Sequence, residues 1–379
     1  MSAVGPRGSS ARKGMRSRAG SPAAYLRDRA DVRHAVRVAL GLLVPGLGLI
    51  AVGRPELMLY VVFGSFTGMY GRLEPWKDRL RHQFHGAGMI VTGVATGVAL
   101  AHNRASAATV VVCVTAFATI ASVVTDWLRL RPGGPFFGIF ALGATATVGA
   151  DLVSWWHAVA LCAGTAAFAM LLGVVVSVTR GGGGPASSPR TWAGSARSRV
   201  TQRPASWRRG LPAGSGTHAF RYAVATAGAG LAGLLLGVDH ANWAMASAAV
   251  PLAVVVGGER LELRAVLHRA LHRLTGTAAG LVVTAVLLWP RPGAVVLAVA
   301  VMVLLFPTEL FMSRHYGVAL GFFTPVIMIM TELAEPTSPL TMIVARGVDT
   351  AIGVAAGVAS AALIPGRVKG QAQAGPGPR

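Results

Sequence analysis

The chain is a succession of continuous apolar runs separated by short polar segments, and this alternation restricts the fold more than any motif does. Runs fall at about 35–53, 56–71, 84–101, 105–125, 135–150 and 155–178. They resume at about 219–238, 242–257, 274–289, 293–312, 315–332 and 340–364. Crossing a bilayer core takes roughly 20 helical residues. Backbone inside lipid must satisfy its own hydrogen bonds, so spanning runs are helical. The runs are continuous and lack the period-two alternation of barrel strands. Charged residues make up 13% of the 379, where a soluble domain carries about 25%. That is too little charge to cover a water-facing surface. The expected fold class is an all-α polytopic membrane protein. Several runs hold only about 16 residues, short for a full crossing, so ten to twelve spans are expected.

The net charge of +21 raises nucleic acid as a partner, but its distribution argues for a membrane instead. With the amino terminus inside, the inside segments of a twelve-span arrangement hold 31 basic residues. The outside loops hold three, Arg54, Arg104 and Arg291. This is the positive-inside bias of a multi-pass plasma-membrane protein with both termini cytoplasmic. It accounts for the charge without nucleic acid. The basic segments are expected to meet anionic lipid.

The expected organisation is a basic tail (1–33), a first six-helix repeat (34–179), a Gly/Arg-rich linker (180–216), a second six-helix repeat (217–365) and a short tail (366–379). His34-Ala35-Val36-Arg37 opens the first repeat and His218-Ala219-Phe220-Arg221 the second. The loops at Gly53 and Gly237 match. A basic segment and a Gly-rich third helix follow in each half. Six is even, so the repeats run parallel. Homo-oligomers are compatible with this plan.

No hydrolase, kinase or P-loop motif is present. Cys113 and Cys162 sit in apolar runs and read as small buried hydrophobes. No cofactor or metal site is expected. His268 and His272 lie one turn apart on the polar side of a basic stretch whose stripe is Leu263, Val266, Leu267, Ala270, Leu271 and Leu274. That stretch is expected at the cytoplasmic interface, or as an extension of the next span.

Ionisable residues within spans are costly, about 2.5–3.5 kcal/mol each, and so point to function. Asp349 lies nine residues past Leu340, about 13 Å deep. Arg346 and Asp349 are i,i+3 and are expected to pair on one helix face, beside Thr350. Acidic residues also end matching helices: Asp126 and Glu309 at inner ends, Asp151 and Glu332 at outer ends. The eleventh run adds Tyr316, Thr324 and a Pro325 that frees backbone carbonyls. The candidates for substrate binding and proton coupling are therefore Arg346, Asp349, Thr350, Tyr316, Thr324, Glu332, Asp126 and Glu309.

Several motifs carry a family resemblance. They are Arg-Val-Ala-Leu (37–40), Gly-Arg-Pro-Glu (53–56) and Phe63-Gly64-Ser65-Phe66. The second half adds His-Arg-Leu-Thr-Gly-Thr-Ala-Ala-Gly (272–280) and Arg346-x-x-Asp349-Thr350-x-Ile352-Gly353. Over about 34–365 the chain resembles the fusaric-acid-resistance-like integral membrane bound transporters, which include aromatic-acid exporters. The resemblance implies a six-plus-six helix plan and efflux of organic, often aromatic, carboxylates. A more distant similarity is to plant malate channels. The linker, about 37 residues long, is too short for the cytoplasmic domain of larger members. The expected function is proton-coupled export of small organic anions. Arg346 would attract the carboxylate, Asp349 carry the proton, and Tyr316 and Thr324 hydrogen-bond the substrate. The alternatives are a passive anion channel and a non-transporting membrane scaffold.

Overall fold

A computed structural model describes residues 29–72, 74–179, 210–237, 241–253 and 262–364. Residues 1–28 of the expected tail, most of the linker (180–209), Arg260 of the basic stretch and everything from Pro365 lie outside the described residues. The described residues form helices and connecting turns, with no strand among them. The first six helices are α1 (Arg29–Ala51), α2 (Met58–Ser65), α3 (Trp76–His102), α4 (Ala107–Leu128), α5 (Phe136–Ala146) and α6 (Trp155–Val178). The second six are α7 (Ser215–Leu235), α8 (Ala241–Leu252), α9 (Leu263–Leu288), α10 (Ala294–Met312), α11 (Tyr316–Ala334) and α12 (Pro339–Leu363).

Among the described residues, eight helices are long and apolar enough to cross a membrane: α1, α3, α4, α6, α9, α10, α11 and α12. The run at 135–150 gives α5, 11 residues long, about 16 Å at 1.5 Å per residue and short of the hydrocarbon core. The run at 56–71 gives α2, 8 residues flanked by 3-10 turns at Pro55–Leu57 and Phe66–Met69. The run at 242–257 is described as far as Ala253 and gives α8, with 12 residues. Nearly all their residues are buried. They are apolar all round because protein encloses them, which in sequence looks the same as facing lipid.

The packing of the first six helices recurs in the last six. α3 packs on α5 as α9 packs on α11, and α2 on α6 as α8 on α12. Glycines make the approaches close. Gly93 and Gly97 of α3 lie against Gly138 and Leu142 of α5, while Gly276 and Gly280 of α9 lie against Gly317, Leu320 and Thr324 of α11. A Cβ on Gly64 of α2 would collide with the Cys162 carbonyl of α6, and one on Gly353 of α12 with the Ala244 carbonyl of α8. Gly53 and Gly237, which turn the chain after α1 and α7, both take left-handed backbone (φ 70° and 65°), where glycine carries no Cβ penalty. Two contacts cross between halves reciprocally: α1 packs on α10, and α7 on α4.

Large apolar side chains such as Val112, Ile120, Val282 and Val286 point outward, while His34, Asp126, His218, Arg273, Glu309, Arg346 and Asp349 are buried. This distribution suits a bilayer, where the outside is apolar and polar groups turn toward the bundle interior. A cluster of Phe63, Phe66, Phe136, Phe137 and Phe140 from the first half meets Phe323 of α11, with Phe66 and Phe323 centroids 5.5 Å apart.

Candidate functional site

A cavity of about 420 Å³ lies between the halves. It sits where the ends of α8 and α10 meet the first turns of α1, α5, α9 and α11. Its wall is cationic and aromatic. Arg72, Arg131, Arg269 and Arg273 contribute guanidinium groups, and Phe136, Phe137, Tyr316 and Phe323 contribute rings. Two acidic residues, Glu74 and Glu309, also line it, and each faces a histidine: Glu74 lies 3.4 Å from His82. Arg273 is fully buried, and its Nε makes no hydrogen bond. Its Nη2 is 3.4 Å from Ser247 Oγ of α8. An anionic group entering the cavity therefore meets a desolvated, under-bonded cation, which in low dielectric attracts it strongly.

The contacts between halves are pinned by two buried histidine–carboxylate pairs. His34 Nε2 of α1 lies 3.0 Å from Glu309 Oε2 of α10. His218 Nδ1 of α7 lies 2.8 Å from Asp126 Oδ2 of α4. The histidines are the repeated ones, and the acids are the repeated helix-end residues. The His34 pair belongs to a wider network. Arg37 Nη2 meets His34 Nδ1 at 3.0 Å, Arg72 donates to the Glu309 carbonyl at 3.0 Å and to Asp31 at 2.8 Å, and Arg314 lies 2.7 Å from Asp31. The His218 pair is simpler: its Nε2 meets the Leu252 carbonyl at 3.2 Å.

Beyond the cavity wall, rings from α5 separate two buried arginines. Arg273 lies 5.4 Å from the Phe136 centroid, Phe136 stacks on Phe140 at 6.0 Å, and Arg346 lies 5.9 Å from Phe140 and 5.0 Å from Trp243. Such placement over ring faces favours a desolvated cation. Arg269 lies 3.3 Å above Tyr316 in the same manner.

The candidates read from the sequence divide accordingly. Glu309 and Tyr316 line the cavity. Asp126 is buried in its pair with His218. Arg346, Asp349 and Thr350 are buried on α12, but the expected Arg346–Asp349 ion pair does not form. Both Asp349 oxygens and the Arg346 Nε and Nη1 make no hydrogen bond, and Thr350 Oγ1 donates back to the Arg346 carbonyl. Side chains on adjacent helix turns share a face without necessarily meeting, and both of these point into packed protein. Thr324 is buried where α11 crosses Gly280. Glu332 accepts from Thr337 N at 3.1 Å and caps the turn after α11. It is not among the cavity-lining residues.

The sequence reading did not single out His34, Arg72, Arg131, Phe136, Arg269, Arg273 or Phe323 as site residues. α9 is continuous from Leu263 to Leu288, so the basic stretch extends the span. Leu267 and Leu271 of its apolar stripe are exposed, whereas Arg273 is buried. The signal for Arg273 was available: it stands inside the 272–280 motif, in register with glycines that require close packing.

Residues 226–360 match the family model described as fusaric acid resistance protein-like. The match takes in α8 to α11, about half of α7 and most of α12, hence Arg273, Glu309, Tyr316, Arg346 and Asp349. The first-half motifs lie outside it. An uncharacterized membrane protein of Bacillus subtilis (strain 168), YvaC, is 28% identical over 147 residues, which are 38% of this chain. That stretch spans 22% of the relative's own length. No solved structure matches the chain. Residues 226–360 are thus a fusaric acid resistance protein-like region within an all-helical, multi-pass membrane protein.

Proposed function

We propose that the protein is a secondary transporter that exports small organic carboxylates, aromatic ones included, across the plasma membrane. The cavity is its binding site, open toward the cytoplasm, where the positive-inside bias puts the arginine-rich segments. One observation carries the reading. A fully buried arginine with an unbonded Nε, Arg273, stands in a cavity lined by Phe136, Phe137 and Phe323. The guanidinium suits a carboxylate and the rings suit an apolar or aromatic body. The deeper Arg346, beyond Phe136 and Phe140, supplies a second cation along the path.

Counterflow in proteoliposomes tests this. Labelled benzoate should exchange saturably against internal benzoate, and Arg273→Gln should abolish the exchange. Flux that follows the gradient but never accumulates label against it would indicate a passive channel. No flux for any carboxylate would overturn the transport reading in favour of a scaffold.

A further inference from the structure

This inference rests on the transport reading and adds what travels with the anion. We infer that Glu309 is the proton-binding group of the cavity, and that a carboxylate and a proton occupy the site together.

The proton inventory of the two histidine pairs follows from their neighbours. A guanidinium only donates. Arg37 Nη2, 3.0 Å from His34 Nδ1, therefore makes Nδ1 an acceptor. The ring's single proton is on Nε2 and is donated to Glu309 Oε2. His34 is neutral and Glu309 is ionised. The other oxygen of Glu309, Oε1, makes no hydrogen bond, although the residue is 1% exposed and lines the cavity. Within this pair, Oε1 is the acceptor open to the next proton. His34 could take it only by giving up Arg37.

The counterpart pair shows the same arrangement with one more proton. His218 faces acceptors on both sides, the Asp126 carboxylate and the Leu252 carbonyl. Each contact needs a proton on or beside its nitrogen, so this pair holds two. It is not among the cavity-lining residues. The His34 pair is one proton short and faces the cavity.

Coupling to the anion is electrostatic. A carboxylate bound at Arg273 shares the cavity with the negative charge of Glu309. Protonating Glu309 removes that repulsion, so the proton tightens anion binding, and by linkage the anion tightens proton binding. The surrounding charges do not replace this effect. On α1, Arg37 is held by His34, and Asp31 by Arg72 and Arg314. On α9, Arg269 and Arg273 stay cationic throughout, and so does Arg131 before α5. On α11, Tyr316 lies under Arg269. On α3, Arg79 lies near Arg37 and bonds the Gly173 carbonyl. The other titrating pair, Glu74 with His82, is the control. When the loaded site opens to the far side, the proton leaves Glu309 as the anion leaves Arg273, so the net load is a neutral acid. Proton and carboxylate move in the same direction.

The test is benzoate binding to purified protein by calorimetry between about pH 5.5 and 8, where benzoate stays ionised. Wild type should bind more tightly toward acid, by up to about tenfold per pH unit. Glu309→Gln should bind with the acid-limit affinity at every pH. His82→Asn should keep the wild-type slope. His34→Gln, which retains a donor to Glu309, should also keep a slope. If Glu309→Gln keeps the slope, or His34→Gln loses it while Glu309 is intact, the assignment is overturned and the anion site stands. If no variant and no wild type binds benzoate, the anion-site reading falls and takes this inference with it.

Discussion

The two histidine–carboxylate pairs are counterparts in the two halves, built from matching residues of matching helices, yet they differ in surroundings. His218–Asp126 is sealed, with both imidazole nitrogens against acceptors. His34–Glu309 borders a cavity and leaves one carboxylate oxygen unbonded. The same contrast holds along the halves. The glycine match of α3 to α9 (Gly93 with Gly276, Gly97 with Gly280) pairs Ile90 with Arg273, and the offset of 184 that relates His34 to His218 pairs Cys162 with Arg346 and Thr165 with Asp349. One half keeps uncharged side chains at the positions where the other places charge. Duplicated helices supply the same backbone, and a few substitutions decide which copy is scaffold and which is site.

The largest expected effect breaks the sealed pair. Asp126→Ala leaves His218 without its counter-charge in a closed space and should cost about 3–5 kcal/mol of stability. Glu309→Ala should cost less, about 1–2 kcal/mol, because its partner borders a cavity. Equal shifts in thermal unfolding in detergent would erase the distinction between the pairs. Next, Arg273→Gln should lower benzoate flux about 100-fold, the loss expected on removing one partner of a buried charged contact, while Ile90→Leu at the matching position should leave flux unchanged. Comparable losses would mean that the halves share the work. Gly64→Ala and Gly353→Ala test the shared scaffold. Each inserts a Cβ against a neighbouring carbonyl and should destabilise by about 1–3 kcal/mol, similarly in both halves. The smallest effect belongs to Glu332→Gln, within about 0.5 kcal/mol and without change in flux, since it only caps a turn.

The repeat, the membrane class and the acids at helix ends were legible in the sequence, because each is a local pattern. Their pairing was not. His34 and Glu309 are 275 residues apart, and His218 and Asp126 are 92 apart, so only the crossing of helices between halves brings them together. Arg269 and Arg273 were passed over as site residues for a different reason. In water the apolar stripe of a helix faces the core. In a bilayer it can face lipid, and the polar side then turns inward. The runs at 56–71 and 135–150 read as spans for a related reason, since enclosure by protein and enclosure by lipid leave the same apolar run. Arg346 and Asp349 were rightly read as buried on one helix, but i,i+3 spacing does not fix which way two side chains turn when packed rings offer one of them another face.

On the proposed transport path, the stack of Phe136 and Phe140 between two guanidinium groups would also set where the transmembrane voltage falls. A cavity in contact with water carries the potential of its own bath nearly to its floor, so most of the drop lies across the apolar layer beyond Arg273. A single charge driven through that layer exchanges about 2.3 kcal/mol with the field per 100 mV. A carboxylate passing these rings alone would feel all of it and would answer to membrane polarisation. A carboxylate that passes with its proton crosses the same layer with no electrical work, and only the chemical gradients on the two sides set its direction.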